Sequence, residues 1–232
     1  MTTLAGKTMV VVGGTRGLGL GVTRAARDAG ARVTVVARHL TGEGEQGDAT
    51  DETFAAKVLA GVRPDLLVIT AGAPPVMRPL TEHTWESFSV NLHADVRIAF
   101  TWLREALRLP LGPDARAIVF GSAAELRGSP LSGSYAGAKA TVRLTTAYAA
   151  AQGLVATTLL PGMTPGTTVG ETGIEAYAAS SGITAAEFRA RLAGVPDPAA
   201  IGAAVLALAT LPAAELAAAY RLDGGELVSI PA

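Results

Sequence analysis

Six short runs of apolar and β-branched residues, separated by stretches with helical periodicity, constrain the fold of this chain most strongly. They fall at Thr8–Val12, Arg32–Ala37, Leu66–Thr70, Ala115–Phe120, Val155–Leu160 and Tyr220–Leu222. Helical patterns lie between them at about Gly17–Ala29, Thr53–Ala60, Thr84–Leu107, Ser134–Gln152 and Pro198–Thr210, with Gly30 and Gly153 where a helix end favours glycine. Alternation of this kind predicts an α/β fold, because parallel strands need long crossovers and the crossover helices cover both faces of the sheet. A doubly wound parallel sheet is therefore expected. One place is too lean for it: only nine residues, His39 to Gly47, separate the second strand from Asp48. The third strand and its crossover helix should be shortened or missing there. At 232 residues a single domain spanning 1–232 is expected, since one core can grow to roughly 250 residues before chains usually divide.

Composition removes several function classes. The net charge is −1, with no basic excess to hold a nucleic acid. There is no cysteine, and His39, His83 and His93 do not have ligand spacing, so no metal is expected. The first residues lack the apolar core of a secretory leader, and the uncharged run Leu144–Gly170 is broken by Gly153, Pro161, Gly162, Pro165 and Gly166. A cytoplasmic protein without membrane contact is the expectation.

Gly13-Gly14-Thr15-Arg16-Gly17-Leu18-Gly19 follows the first strand and opens the first helix. That context suits a dinucleotide pyrophosphate, because glycines bring backbone N–H groups and the positive helix end against it. A plain strand-to-helix turn would use the same residues. At the end of the second strand an NAD site would carry an acidic residue for the ribose hydroxyls; here the residues are Val36, Ala37 and Arg38. Arg38 together with Arg16 would instead bracket a 2′-phosphate, which points to NADP(H). The alternative is two arginines on a solvated rim.

Tyr135 and Lys139 are spaced i, i+4 and share one helix face. An ammonium beside a phenol lowers the phenol's pKa and makes it a usable proton carrier. Ser122 lies just beyond the strand that ends at Phe120, where its hydroxyl could face the same cleft.

With these motifs in hand, the sequence resembles the short-chain dehydrogenase/reductase family over nearly its whole length. That family carries a TGxxxGxG turn, an NNAG segment, a helix Asn, a Ser and YxxxK on a Rossmann fold. Val12–Gly19 matches the turn except for its leading Thr, and Asn91 in Ser89-Val90-Asn91-Leu92 matches the helix Asn. Ser122, Tyr135 and Lys139 match the rest of the catalytic set. The resemblance implies that Ser122 polarises a substrate carbonyl, Tyr135 transfers the proton, Lys139 binds the nicotinamide ribose and acidifies Tyr135, and Asn91 fixes a relay water. It also implies that Gly13, Thr15, Arg16, Gly17, Leu18, Gly19 and Arg38 hold the phosphates. Asp48 and Ala49 would hold the adenine, and Ala71, Gly72, Ala73, Pro161, Gly162 and Thr164 would line the rest of the cofactor. Asp223-Gly224-Gly225 matches a carboxyl-terminal DGG. Ile69-Thr70-Ala71-Gly72 departs from NNAG, so the Asn that braces the central strands is absent.

The expected activity is NADP(H)-dependent hydride transfer between the nicotinamide and a carbonyl or alcohol. The alternative is a non-catalytic NADP(H)-binding regulator. Met163 to Gly182 reads as an irregular, Gly- and Thr-rich segment suited to a substrate lid, charged only at Glu171 and Glu175, which favours a neutral or apolar small-molecule carbonyl. Apolar faces on Thr84–Leu107 and Ser134–Gln152 suit helix pairing in a homo-oligomer, a dimer or tetramer.

Overall fold

The computed structural model describes residues 3–109, 111–112, 114–192, 194–223 and 225–230. Strands β1 (Thr8–Val12), β2 (Arg32–Ala37), β3 (Glu45–Gln46), β4 (Leu66–Ile69), β5 (Arg116–Phe120), β6 (Val155–Leu160), β7 (Ala219–Asp223) and β8 (Glu226–Ile230) form one sheet in the order β3-β2-β1-β4-β5-β6-β7-β8. Each neighbouring pair is parallel except β7 and β8. Because β1 pairs with both β2 and β4, the strand order reverses beside β1, and a crevice opens at the carboxyl ends of β1 and β4.

Helices α1 (Gly17–Asp28) and α9 (Pro198–Thr210) cover one face; α2 (Glu52–Val62), α4 (Arg97–Arg108) and α6 (Tyr135–Ala151) cover the other. Strand alternation divides the core accordingly. Val10, Val12, Leu67, Ile69, Ala117 and Val119 point to α2, α4 and α6, while Met9, Val11, Leu66, Val68, Ile118 and Phe120 point to α1 and α9. Among the described residues, short or peripheral α-helices also occur at α3 (Trp85–Phe88), α5 (Ala124–Arg127), α7 (Thr168–Ser180) and α8 (Ala185–Ala190). Among the described residues no helix is long and apolar enough to cross a membrane.

The lean segment behaves as expected. β3 is two residues long, pairing Val36 with Glu45 and Ala37 with Gln46, and among the described residues no helix lies between β2 and β3. Three expectations need correction. The single helix expected over Thr84–Leu107 is interrupted at Ser89 and passes through a π-helical turn, Leu92–Val96, before α4. The expected irregular lid is largely helical: α7 starts where Thr167 accepts a hydrogen bond from Gly170 N at 3.0 Å, and it buries Ile174 and Ala178. Cap and burial outweigh its poor helix composition. The sheet also has an eighth, antiparallel strand, paired with β7; Gly224 lies outside the described residues.

Candidate active site

The crevice above β1, β4, β5 and β6 is a cleft of about 1090 Å³. Its floor begins at the glycine turn. A Cβ at Gly19 would stand 2.2 Å from Gly13 O, so only glycine permits this turn to close on itself. The central strands are also braced. Thr70 Oγ1 donates to Val12 O at 2.9 Å, and the Thr70 and Ala71 amides reach the same carbonyl. A threonine hydroxyl thus supplies a brace where NNAG would have placed an asparagine.

Gly13, Thr15, Arg16, Gly17, Leu18, Gly19, Arg38, Asp48, Ala49, Ala71, Gly72, Ala73, Ser122, Tyr135, Lys139, Pro161, Gly162 and Thr164 all line this one cleft. Arg16 and Arg38 are exposed, and neither has a carboxylate partner among the described residues. Thr50 N and Oγ1 both donate to Asp48 Oδ1, at 2.8 and 2.9 Å. The Thr50 amide, then its hydroxyl, hold the Asp48 carboxyl below its ordinary range against the effect of burial, with Arg38 and Arg97 adding to the pull. Ala49 is pinned from behind, where the buried Trp102 Nε1 donates to its carbonyl at 2.9 Å. Thr164 lines the wall, but its side chain is buried and donates to Gly162 O. The neighbouring Thr167 and Thr168, at the amino end of α7, also line the cleft.

The reactive wall is built by the end of β5 and the first turns of α6. Ser122 Oγ accepts from Ala124 N at 3.2 Å, which leaves its own proton free to donate into the cleft. Lys139 is buried; its Nζ donates to Phe120 O at 3.1 Å and lies 5.8 Å from the Tyr135 ring centroid. Asn91 is placed differently. It is buried behind the wall and does not line the cleft; its amide is committed to Ala73 O at 2.8 Å and Asp95 Oδ1 at 3.4 Å.

Asp95 is the residue that motif reasoning missed. It lines the cleft, is buried, and faces Lys139 Nζ at 3.2 Å. The signal was present in the sequence: an acid four residues after Asn91, on the same face of a helix otherwise heading into the core. Burial alone would pull the Lys139 ammonium down. The Asp95 carboxylate, then the Tyr135 phenol and Glu125, outweigh it and hold the ammonium above the ordinary lysine value. Glu125 is pushed up by burial, partly offset by its ion pair with Arg143.

At the outer end, α7 covers the cleft with Val169, Gly173 and Tyr177. Tyr177 Oη and Ser129 Oγ are 2.7 Å apart, tying α7 to the loop after α5. Pro74, Pro75, Met77 and Val90 form the facing wall.

The cleft fits a nicotinamide dinucleotide: a tight glycine turn under a helix start, two exposed arginines at one end, and a phenol–ammonium–hydroxyl group at the other. A family model described as short chain dehydrogenase matches residues 7–181, which include every one of these residues. No curated protein matches the chain significantly. From the strand order through the glycine turn to the Ser, Tyr and Lys of one cleft wall, the chain belongs to the short-chain dehydrogenase family, a family of nicotinamide-dependent oxidoreductases.

Proposed function

We propose that this protein is an NADP(H)-dependent oxidoreductase that interconverts a neutral carbonyl compound and its alcohol. The observation that carries the reading is that Ser122, Tyr135 and Lys139 share one cleft with Arg16 and Arg38, two exposed arginines that form no ion pair among the described residues. A 2′-phosphate between those guanidiniums would gain charge-assisted hydrogen bonds that NADH could not supply.

When bound, the nicotinamide supplies or takes up the hydride. The chain handles the proton and the oxygen. In the reducing direction Ser122 donates a hydrogen bond to the carbonyl oxygen and stabilises the negative charge that develops there. Tyr135 gives its phenolic proton to that oxygen as the carbon is reduced, and Lys139 stabilises the phenolate left behind. In the oxidising direction the Tyr135 oxygen takes the proton back. Asn91 acts from behind, holding Ala73 and Asp95 in place.

The substrate end, walled by Pro74, Pro75, Met77, Val90 and Tyr177, supports an apolar or neutral substrate. Phe100 on α4 and Leu144 and Tyr148 on α6 are exposed, which supports a homo-oligomer formed through those helices. The test is nucleotide oxidation with a panel of neutral aldehydes and ketones, run with NADPH and with NADH. The reading predicts turnover with at least a tenfold preference for NADPH, about 1.4 kcal/mol. A preference for NADH would overturn the roles of Arg16 and Arg38, and no turnover with any carbonyl would overturn the activity.

A further inference from the structure

The Asn-Ser-Tyr-Lys set does not account for the best-buried acid in the cleft wall. Asp95, only 2% exposed, sits in the π-helical turn Leu92–Val96 and uses both carboxylate oxygens. Oδ1 accepts from Ala73 N at 2.8 Å and from the Asn91 amide. Oδ2 takes no directed hydrogen bond; its partner is the Lys139 ammonium at 3.2 Å. The neighbouring backbone is shaped to admit this carboxylate, since a Cβ on Gly72 would come within 2.9 Å of both its oxygens. A π-turn shifts the phase of a helix by one residue and is frequent at functional sites. Here the residue it directs inward is an acid.

We propose that Asp95 is the charge partner that sets the proton affinity of the Tyr135–Lys139 pair, acting as a positioning residue for the reaction. The inference rests on the proton-transfer role given to Tyr135 above. A carboxylate against Lys139 keeps that ammonium protonated in a buried site and partly cancels its pull on the phenol. Removing the negative charge makes the surroundings of the pair more positive. The first proton to leave the pair, from whichever group, then leaves at lower pH.

The other charges near the pair are accounted for. Glu125 of α5 faces Lys139 but is ion-paired with Arg143 of α6. The Phe120 carbonyl at the end of β5 accepts from Nζ, and His93 and Arg127 line the cleft as exposed groups. Asp95 is thus the buried acid that neutralises Lys139 directly. By the same hydrogen bonds it fixes Ala73, so the electrostatic setting of the pair and the backbone at the end of β4 are coupled through one side chain.

The experiment is a 13C NMR titration of the cofactor-free protein, following Tyr135 Cζ and Lys139 Cε in the wild type and in Asp95→Asn. The lower of the two coupled steps is expected to fall by about 1–3 pH units. In the loaded enzyme the alkaline limb of kcat/KM for carbonyl reduction should move down with it. Glu125→Gln, whose charge Arg143 already offsets, should move the step much less. An unmoved lower step in Asp95→Asn, or an equal shift in Glu125→Gln, would overturn the proposal even if activity fell, since loss of packing alone does not move a titration. If Asp95→Asn fails to fold, Asp95→Ser keeps an acceptor for Ala73 N and is read in the same way. The NMR arm stands without turnover, so an inactive wild type would contradict the proposed function and leave this inference to be decided separately.

Discussion

Trp102→Phe is a perturbation whose size follows from the structure and whose effect reaches the cleft. Trp102 is fully buried in α4, meets Phe54 edge-on with ring centroids 6.4 Å apart, and donates from Nε1 to Ala49 O at 2.9 Å. Phenylalanine keeps an aromatic edge for Phe54 but cannot donate. The orphaned Ala49 carbonyl costs about 1–3 kcal/mol. The missing part of the indole leaves a gap on the order of 40 Å³, worth about 1 kcal/mol at roughly 24 cal/mol per Å³. Together these give a loss of about 2–4 kcal/mol. With a urea slope of about 2 kcal/mol/M, the midpoint followed by far-ultraviolet circular dichroism should fall by about 1–2 M. Because Ala49 borders the cleft beside Asp48, NADPH affinity should weaken as well. A midpoint within about 0.3 M of wild type, well under 1 kcal/mol at that slope, would refute the claim that this hydrogen bond anchors that end of the cleft.

Gly19→Ala forces a methyl group against Gly13 O, so dinucleotide binding measured by calorimetry should be lost or weakened at least tenfold; unaltered binding would show the turn to be slack. Asp65 accepts from Thr8 N, Thr8 Oγ1 and Lys7, which outweigh burial and hold its pKa below 3.8. Its stabilising contribution is therefore present above pH 3.8 and lost as pH falls through the lower folded value, so the Tm gap between wild type and Asp65→Asn should be full at neutral pH and close below about pH 3.8. A gap that persists in acid would refute this account. If the exposed face carrying Leu144 and Tyr148 pairs subunits, Tyr148→Glu should shift the protein toward monomer in light scattering; a monomeric wild type would end that reading.

Much of this protein was legible in its sequence because the relevant signals are local. β-branched runs, a glycine turn and an i, i+4 Tyr–Lys pair each report on neighbouring residues, and each lies where such reasoning puts it. Even the stunted β3 followed from counting residues. What escaped depends on contacts between distant segments or on departures from a regular period. The π-turn carries Asp95, and nothing in its spacing from Asn91 alone reveals that Asp95 meets a lysine 44 residues away. α7 is rich in Gly and Thr, poor helix formers, and is held by its Thr167 cap and by the burial of Ile174. β8 follows the glycine pair of Asp223-Gly224-Gly225, a sequence that serves as a turn signal as well as a family motif. The brace lost with the NNAG asparagine reappears as the Thr70 hydroxyl, a substitution of one donor by another that only the hydrogen-bond partner discloses.

The account turns on the Tyr135 oxygen as the group that moves the proton. Tyr135→Phe removes that oxygen and leaves the ring, Lys139 and the arginines in place, so the direct measurement pairs NADPH binding by calorimetry with single-turnover carbonyl reduction. The account predicts binding within about threefold of wild type and a rate reduced at least 10²-fold, the scale of a lost general acid. A variant that binds NADPH and reduces the carbonyl at the wild-type rate would contradict it.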